Sequence, residues 1–125
     1  MRGEGIETCV STFSFFLFSG IQKGGDMSGK RESKFQAELI KDIKKRFEGA
    51  IVTKLDAGHI QGIPDLLILY KDKWATLECK KDANASHRPN QDYYVSTMNR
   101  MSFSRFIYPE NKEEVLNDLQ QTFEP

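Results

Sequence analysis

Hydrophobic residues recur at every fourth position over one long segment of the chain, and mostly charged residues fill the positions between them. This spacing predicts an amphipathic helix of about four turns that buries one face. Ser33 is the expected N-cap, and Gly49 stands where the helix would stop. The apolar face comprises Phe35, Leu39, Ile40, Ile43 and Phe47.

Three segments rich in β-branched and aliphatic residues follow this helix, and each predicts a strand. A polar loop that contains glycine separates the first strand from the second. Only a short polar turn separates the second strand from the third, which predicts a hairpin. The three strands span residues 50–55, 65–70 and 74–80.

The C-terminal part of the chain predicts a helix, a strand and a further helix. Pro89 suits the first turn of a helix, and Pro109 opens the last one. Residues 103–108 predict the strand between them. The complete order, α-β-β-β-α-β-α, predicts an α/β fold in which helices flank a short mixed sheet.

The composition is that of one modest domain. The chain has 125 residues, is 38% hydrophobic, and carries 18 basic and 18 acidic side chains, so its net charge is zero. This balance argues against a protein that coats nucleic acid by charge alone, although acidic metal ligands could offset basic phosphate contacts in a nuclease. Two cysteines without a CxxC or Cys/His cluster argue against a disulfide scaffold or zinc site and favour a reducing cytoplasm.

The N-terminal segment differs from the rest of the chain. Its apolar stretch, residues 10–18, is too short to span a bilayer, and acidic residues stand where a signal peptide needs positive charge. Residues 23–27 can be encoded AAA GGA GGT GAC ATG, which resembles a bacterial ribosome-binding site before a start codon. We therefore expect residues 1–26 to be a translated leader or a disordered tail. Residues 27–125 should form a single domain without a membrane attachment.

Strand geometry brings candidate chemistry to one end of the predicted hairpin. Alternate side chains share a face, so Glu78 and Lys80 face one side while Cys79 faces the core. A loop at Lys71-Asp72 sets Asp65 opposite Glu78, and a loop one residue later sets Asp65 opposite Lys80. Both registers keep the two acids and the lysine within about 5–8 Å of one another.

Two facing carboxylates repel each other unless a cation lies between them. A hard divalent ion such as Mg²⁺ or Mn²⁺ accepts carboxylate oxygens, polarises a phosphoryl oxygen and lowers the pKa of a bound water. Lys80 can stabilise charge on the phosphate or position the water. A Glu-x-Lys sequence by itself usually lies on the solvated face of a strand. Its combination with Asp65 on the neighbouring hydrophobic strand predicts phosphodiester hydrolysis.

The same residues carry a family resemblance. Pro64-Asp65, twelve further residues and then Glu78-Cys79-Lys80 resemble the PD-(D/E)xK nuclease superfamily. The form Gly-Ile-Pro-Asp-Leu at residues 62–66 is most similar to its virus-type replication-repair nuclease (VRR-NUC) branch, with small phage endonucleases and Holliday-junction resolvases as relatives. The resemblance covers roughly residues 33–108 and implies a restriction-endonuclease-like core of α-β-β-β-α-β order.

This resemblance also implies roles for individual residues. Asp65 and Glu78 would bind the metal ion together with the backbone carbonyl of Cys79, and Lys80 would be the catalytic lysine. Glu38 matches a glutamate that family members often carry on the first helix and would join the catalytic set. The alternative for Glu38 is an ordinary surface glutamate.

Residues of the helix after the lysine strand match the family as well. Gln91 would belong to the catalytic set, and Tyr94 would contact nucleic acid, unless they are simply a surface and a core position of the helix. Other basic residues near the predicted site could position the nucleic-acid backbone, with solvated charge as the alternative for each. These are Lys34, Lys81 and Arg88. His59 and His87 lie in the loops before Asp65 and after Lys80. Either could contact a phosphate, although a histidine in a loop is more often an ordinary surface residue.

The function implied by these residues is a Mg²⁺- or Mn²⁺-dependent DNA endonuclease, phage-encoded, structure-selective and active in the cytoplasm of a bacterial host. A homodimer would allow symmetric cutting of branched DNA. The alternative within enzymes is a dedicated Holliday-junction resolvase. The alternative outside them is an inactive module that binds nucleic acid or another protein on the same scaffold.

Overall fold

The computed structural model describes residues 27–125, with side chains from residue 29 onward. Residues 31–125 form one compact unit. The prediction that residues 1–26 are a leader or tail lies outside the described residues. Within residues 27–125, no helix combines the length and the apolar character needed to cross a membrane.

The first helix, α1, spans Met27–Arg46 and is longer than its spacing predicted. Its apolar face is buried as expected, and Gly49 follows its last turn with a φ of 91°. The prediction of Ser33 as N-cap is wrong, because Ser33 lies inside the helix. The preceding Lys-Arg-Glu triplet consists of good helix formers, so the helix continues through it toward the N-terminus.

A four-stranded mixed sheet forms the centre of the described chain, as the element order predicted. Its strands lie in sequence order, with the first three antiparallel and the last parallel to the third. The parallel step requires a crossover, which a helix supplies. The strands are β1 (Ile51–Lys54), β2 (Leu66–Tyr70), β3 (Lys73–Cys79) and β4 (Ser104–Ile107).

The hairpin of β2 and β3 adopts the first of the two predicted registers. Tyr70 pairs with Lys73 and Leu66 with Leu77, so the loop has two residues. Lys71 in that loop has a φ of 58°, as the turn of a tight hairpin requires. The register that would set Asp65 opposite Lys80 is excluded, and Asp65 stands opposite Glu78.

The helices of the C-terminal part cover the two faces of the sheet. Helix α2, Pro89–Met101, is the crossover between β3 and β4 and contacts both strands. A short 3₁₀ helix, Pro109–Asn111, leads into α3, Lys112–Phe123. Polar contacts tie α3 to α1: Arg46 bonds to Glu113 at 3.2 Å, and a salt bridge joins Asp42 to Lys112.

The hydrophobic core lies on one face of the sheet, where strand residues meet the apolar faces of α1 and α3. Phe47, Tyr70 and Phe123 form an aromatic cluster with ring centroids 5.3–5.4 Å apart. Leu77 and Cys79 of β3 are fully buried in this core. The opposite face of the same strand carries Thr76 and Glu78, which α2 covers. Alternate residues of β3 therefore face the hydrophobic core on one side of the sheet and a polar site on the other.

Candidate active site

The open end of the β2–β3 hairpin holds the first carboxylate. Asp65 Oδ2 accepts a hydrogen bond from the backbone N–H of Cys79 at 2.9 Å, and the Asp65 carbonyl accepts one from the N–H of Leu55 at 2.9 Å. Burial raises the pKa of Asp65, while the Cys79 bond and the charges of Lys80 and Lys54 act in the opposite direction. Asp65 is thus fixed against β3 from the start of β2.

The second carboxylate, Glu78, is buried on the polar face of β3, with only 3% of its surface exposed. Its Oε2 accepts a hydrogen bond from Gln91 Nε2 at 2.8 Å, but its Oε1 is buried without a hydrogen-bond partner. Burial and, next, the charge of Asp65 raise the pKa of Glu78 to about 8, against the opposing charge of Lys80. A buried carboxyl oxygen without a hydrogen-bond partner is costly, so this position is not optimised for stability.

Lys80, directly after β3, is 8% exposed and held by neighbouring polar atoms. Its Nζ donates to the Ser86 carbonyl at 3.0 Å and to Gln91 Oε1 at 2.9 Å, and it lies 3.9 Å from Glu78 Oε2. The loop between β3 and α2 therefore orients the lysine through its backbone. Sequence reasoning could not anticipate this contact, since any residue has a carbonyl.

Gln91 connects the polar groups of the site. Its amide N–H donates to Glu78, and its carbonyl accepts from Lys80 and from the backbone N–H of Arg88 at 3.1 Å. The last bond is part of the capping of α2 at its N-terminus. The structure thus brings together four of the predicted catalytic residues: Asp65, Glu78, Lys80 and Gln91.

A cavity of about 340 Å³ opens beside the two carboxylates. Its walls are residues 57–58 and 61–63 of the loop before β2, the two acids, and Arg88, Asn90 and Gln91 at the start of α2. Gly62 has a φ of 92°, and a Cβ at this position would lie 2.3 Å from Asn90 Cβ. The glycine of the Gly-Ile-Pro-Asp motif therefore allows the loop to approach α2 closely and close one side of the cavity.

The prediction of Glu38 as the helix glutamate of the site is not supported by its position, because its side chain is exposed on α1. A different pair on α1 is near the site. The charge of Glu32 raises the pKa of Glu78, and the Gln36 side chain hydrogen-bonds the Cys79 thiol, whose pKa burial raises. Helical spacing explains the difference: Glu32 lies three residues before buried Phe35, and Gln36 lies three residues before buried Leu39, so both are next to the buried face of α1. Glu38 does not have this spacing.

The remaining predicted residues differ in their positions. Arg88 is exposed and lines the cavity, and Tyr94 is half-buried on α2 with its ring edge-on to Tyr93 at 5.0 Å. Lys81 is half-buried after Lys80. Lys34 is exposed on α1, and no contact described within residues 29–125 joins it to the carboxylates. Lys54, which sequence reasoning missed, is close enough for its charge to lower the pKa of Asp65.

Two carboxylates are the side chains that could hold a cation here. Asp65 and Glu78 offer hard oxygen donors. Within the described part of the chain, no third His, Cys, Asp or Glu side chain joins such a pair to form a group of three that could hold a metal ion. The Cys79 amide is bonded to Asp65, which places this peptide at the site, and the role of its carbonyl stays a prediction. The arrangement presents paired acids, an oriented lysine and a cavity with an arginine at its wall.

Comparison with known structures agrees with this geometry. A solved structure described as "VRR_NUC domain" superposes on the chain with a TM-score of 0.55 and 25% sequence identity. The match covers 70% of this chain and 95% of that one. No protein-family model matches the sequence, and no curated protein matches it.

Proposed function

Given that this chain has the nuclease-like fold of the VRR-NUC and PD-(D/E)xK proteins, we propose that it is a metal-dependent DNA endonuclease. One observation carries the metal dependence: the buried Oε1 of Glu78 has no hydrogen-bond partner, and Glu78 lines the same cavity as Asp65. A protein tolerates such an oxygen where function requires it.

The donor set fits a hard divalent cation. Carboxylate oxygens are the ligands that Mg²⁺ and Mn²⁺ prefer, and a cation beside Asp65 and Glu78 would offset the repulsion that now raises the pKa of Glu78. When bound, such an ion supplies Lewis-acid activation of a phosphate and of a water nucleophile. The open cavity beside the acids leaves room for a phosphate.

The residues of the chain would divide the remaining work. Lys80 carries a positive charge that Gln91 and the Ser86 carbonyl hold in one direction, so it can stabilise charge that develops on the phosphate. Gln91 bonds to both Glu78 and Lys80, so it fixes the two side chains relative to each other. Arg88 at the cavity wall can position the nucleic-acid backbone.

We further propose that the substrate is branched or otherwise structured DNA and that a homodimer makes paired cuts. The supporting observation is indirect: residues 27–125 form only the catalytic fold, with no added element that would read base sequence. Symmetric cutting by such a small core needs two copies. Phage origin and action in a bacterial cytoplasm remain part of the same proposal.

A cleavage assay tests the proposal directly. The purified protein is incubated with Mg²⁺ or Mn²⁺ and with labelled linear duplex, single-stranded DNA or a four-way junction. Asp65→Ala should abolish cleavage, whereas Asp72→Ala, an exposed acid at the opposite end of the same hairpin, should not. Cleavage of the junction alone would identify a dedicated resolvase.

Calorimetric titration with Mg²⁺ provides a second measurement that does not depend on finding the substrate. Wild type and Asp72→Ala should bind the ion, and Asp65→Ala should bind it at least tenfold more weakly. A protein that neither binds the ion nor cuts any of the three DNAs would refute the enzyme and leave a binding module on this fold.

A further inference from the structure

The loop between β3 and α2 places a histidine at the border of the site. The carbonyl of Ser86 accepts from Lys80, and the N–H of Arg88 donates to Gln91, so both neighbours of His87 bond to side chains of the site. The backbone at residue 87 is therefore fixed relative to the lysine and the glutamine. Its side chain adds a titratable group that the proposed chemistry does not use.

The imidazole of His87 is held in one orientation although it is about one-third exposed. Its ring stacks on Phe106 with centroids 3.8 Å apart and planes 14° apart. Phe106 is the partner of Glu78 in the β3–β4 register, so the ring lies on the polar face of the sheet, one strand away from the carboxylate. Its Nδ1 is 3.1 Å from Asp92 Oδ1.

We propose that His87 binds a phosphate of the nucleic-acid backbone beside the cavity and that Asp92 is the residue that positions its ring. With Nδ1–H directed at Asp92, Nε2 is left on the other side of the ring for a ligand. In the complex, Nδ1–H would donate to Asp92 and Nε2–H would donate to a phosphate oxygen. This inference rests on the proposed function, because it takes DNA as the ligand.

The proposal predicts an unusual sign for a mutation of Asp92. An acid near DNA ordinarily repels the phosphates, so its neutralisation should strengthen binding. If Asp92 instead orients the His87 ring toward a phosphate, its neutralisation removes that favourable orientation together with the repulsion. Asp92→Asn should then fail to strengthen binding in the wild-type chain but should strengthen it when His87 has been replaced.

DNA binding measured by fluorescence anisotropy in EDTA tests the proposal without cleavage. The probes are a labelled duplex and a labelled four-way junction, titrated over a range of KCl concentrations. His87→Phe keeps a ring that can stack on Phe106 but has no nitrogen, and His59→Phe is the matched control in the loop before Asp65. Circular dichroism and urea unfolding confirm that each variant is folded.

His87→Phe should weaken binding about tenfold, the usual effect of losing a charge-assisted hydrogen bond. It should also lower the slope of log affinity against log salt by about 0.9, as the loss of one phosphate contact requires. His59→Phe should change neither quantity. Asp92→Asn should give no gain in the wild-type chain and at least a twofold gain in the His87→Phe chain, about half the effect of one exposed charge pair.

Other outcomes overturn the inference. An unchanged affinity and salt slope in His87→Phe would show that the ring does not touch DNA. Tighter binding by Asp92→Asn alone would show that Asp92 does not position the ring for DNA. Failure of the wild type to bind either DNA would refute it too. Cleavage by the wild type with Mg²⁺, measured in parallel, separates these results from a failure of the proposed function. If the wild type cuts DNA and the replacement of His87 has no effect on binding, only this inference is refuted.

Discussion

Two glycines with nearly the same positive φ provide a direct test of how the cavity is built. Gly62 has a φ of 92° and Gly49 a φ of 91°. A Cβ at Gly49 would meet no atom within 4 Å, whereas a Cβ at Gly62 would meet Cβ, C and O of Asn90 at 2.3, 2.9 and 3.1 Å. Substitution by alanine therefore adds the same conformational strain at both positions and a steric overlap at only one.

The expected magnitudes follow from this difference. A left-handed conformation costs an L-residue about 1–2 kcal/mol, and the reduced entropy of the unfolded chain offsets about 0.4–1 kcal/mol of it. Gly49→Ala should therefore lower the free energy of unfolding by about 1 kcal/mol. Gly62→Ala should add an overpacking cost of about 1–3 kcal/mol, because two of the three atoms it meets belong to the backbone of α2.

Urea unfolding in EDTA, followed by Trp74 fluorescence, measures both variants under one condition. Gly62→Ala should be the less stable by about 1–3 kcal/mol. It should also lose most cleavage activity at temperatures where it is folded, because the loop must move away from the helix that carries Gln91. Equal destabilisation of the two variants, or full activity of Gly62→Ala, would show that the close approach does not position the site.

Three further predictions concern the charged groups. Because burial raises the pKa of Glu78 to about 8, metal-free protein should lose stability as pH rises from about 4.5 to 8, on the order of 5 kcal/mol. Glu78→Gln should lose much less stability over that range in urea unfolding, with a remainder from other groups such as Asp65, and parallel curves for the two proteins would contradict this. Lys80→Ala should abolish turnover while calorimetric Mg²⁺ affinity is retained, and lost affinity would contradict the separation of roles. Glu32→Gln should lower the pKa of Glu78 and alter the pH dependence of stability, whereas Glu38→Gln should change neither, as carboxyl titration by NMR would reveal.

The local sequence pattern was sufficient to predict most of the helices and strands and the pairing of β2 with β3. The apolar spacing of α1 and the two-residue turn at Lys71-Asp72 are short-range properties, so helix, hairpin and the facing of Asp65 and Glu78 could be predicted from the sequence. The predicted resemblance to the VRR-NUC branch is confirmed at the level of fold. Gln91 followed from the same resemblance, and the structure places it between the acid and the lysine.

The remaining details depend on how elements meet in space. Glu38 was named by its match to a family position, which took no account of the side of α1 that faces the sheet. Its side chain is exposed, whereas the charge of Glu32 acts on Glu78. The start of α1 was misplaced because a serine is compatible with both a cap and a helix interior. The support of Lys80 by the Ser86 carbonyl and the contact of Gly62 with Asn90 involve backbone atoms, which leave no residue-specific signal.

The register of the β2–β3 hairpin has a consequence for how this segment can change in length. Asp65 and Glu78 face each other because five residues on each strand and a two-residue turn lie between them, in agreement with the observed pairing. A single inserted residue would either enlarge the turn or rotate one strand, which would move Glu78 toward the core and Cys79 toward the cavity. Insertions here are compatible with both packing and chemistry only in pairs, one residue on each strand. Related chains should therefore differ in this interval by even numbers, and length variation should concentrate in the loops that precede Asp65 and follow Lys80.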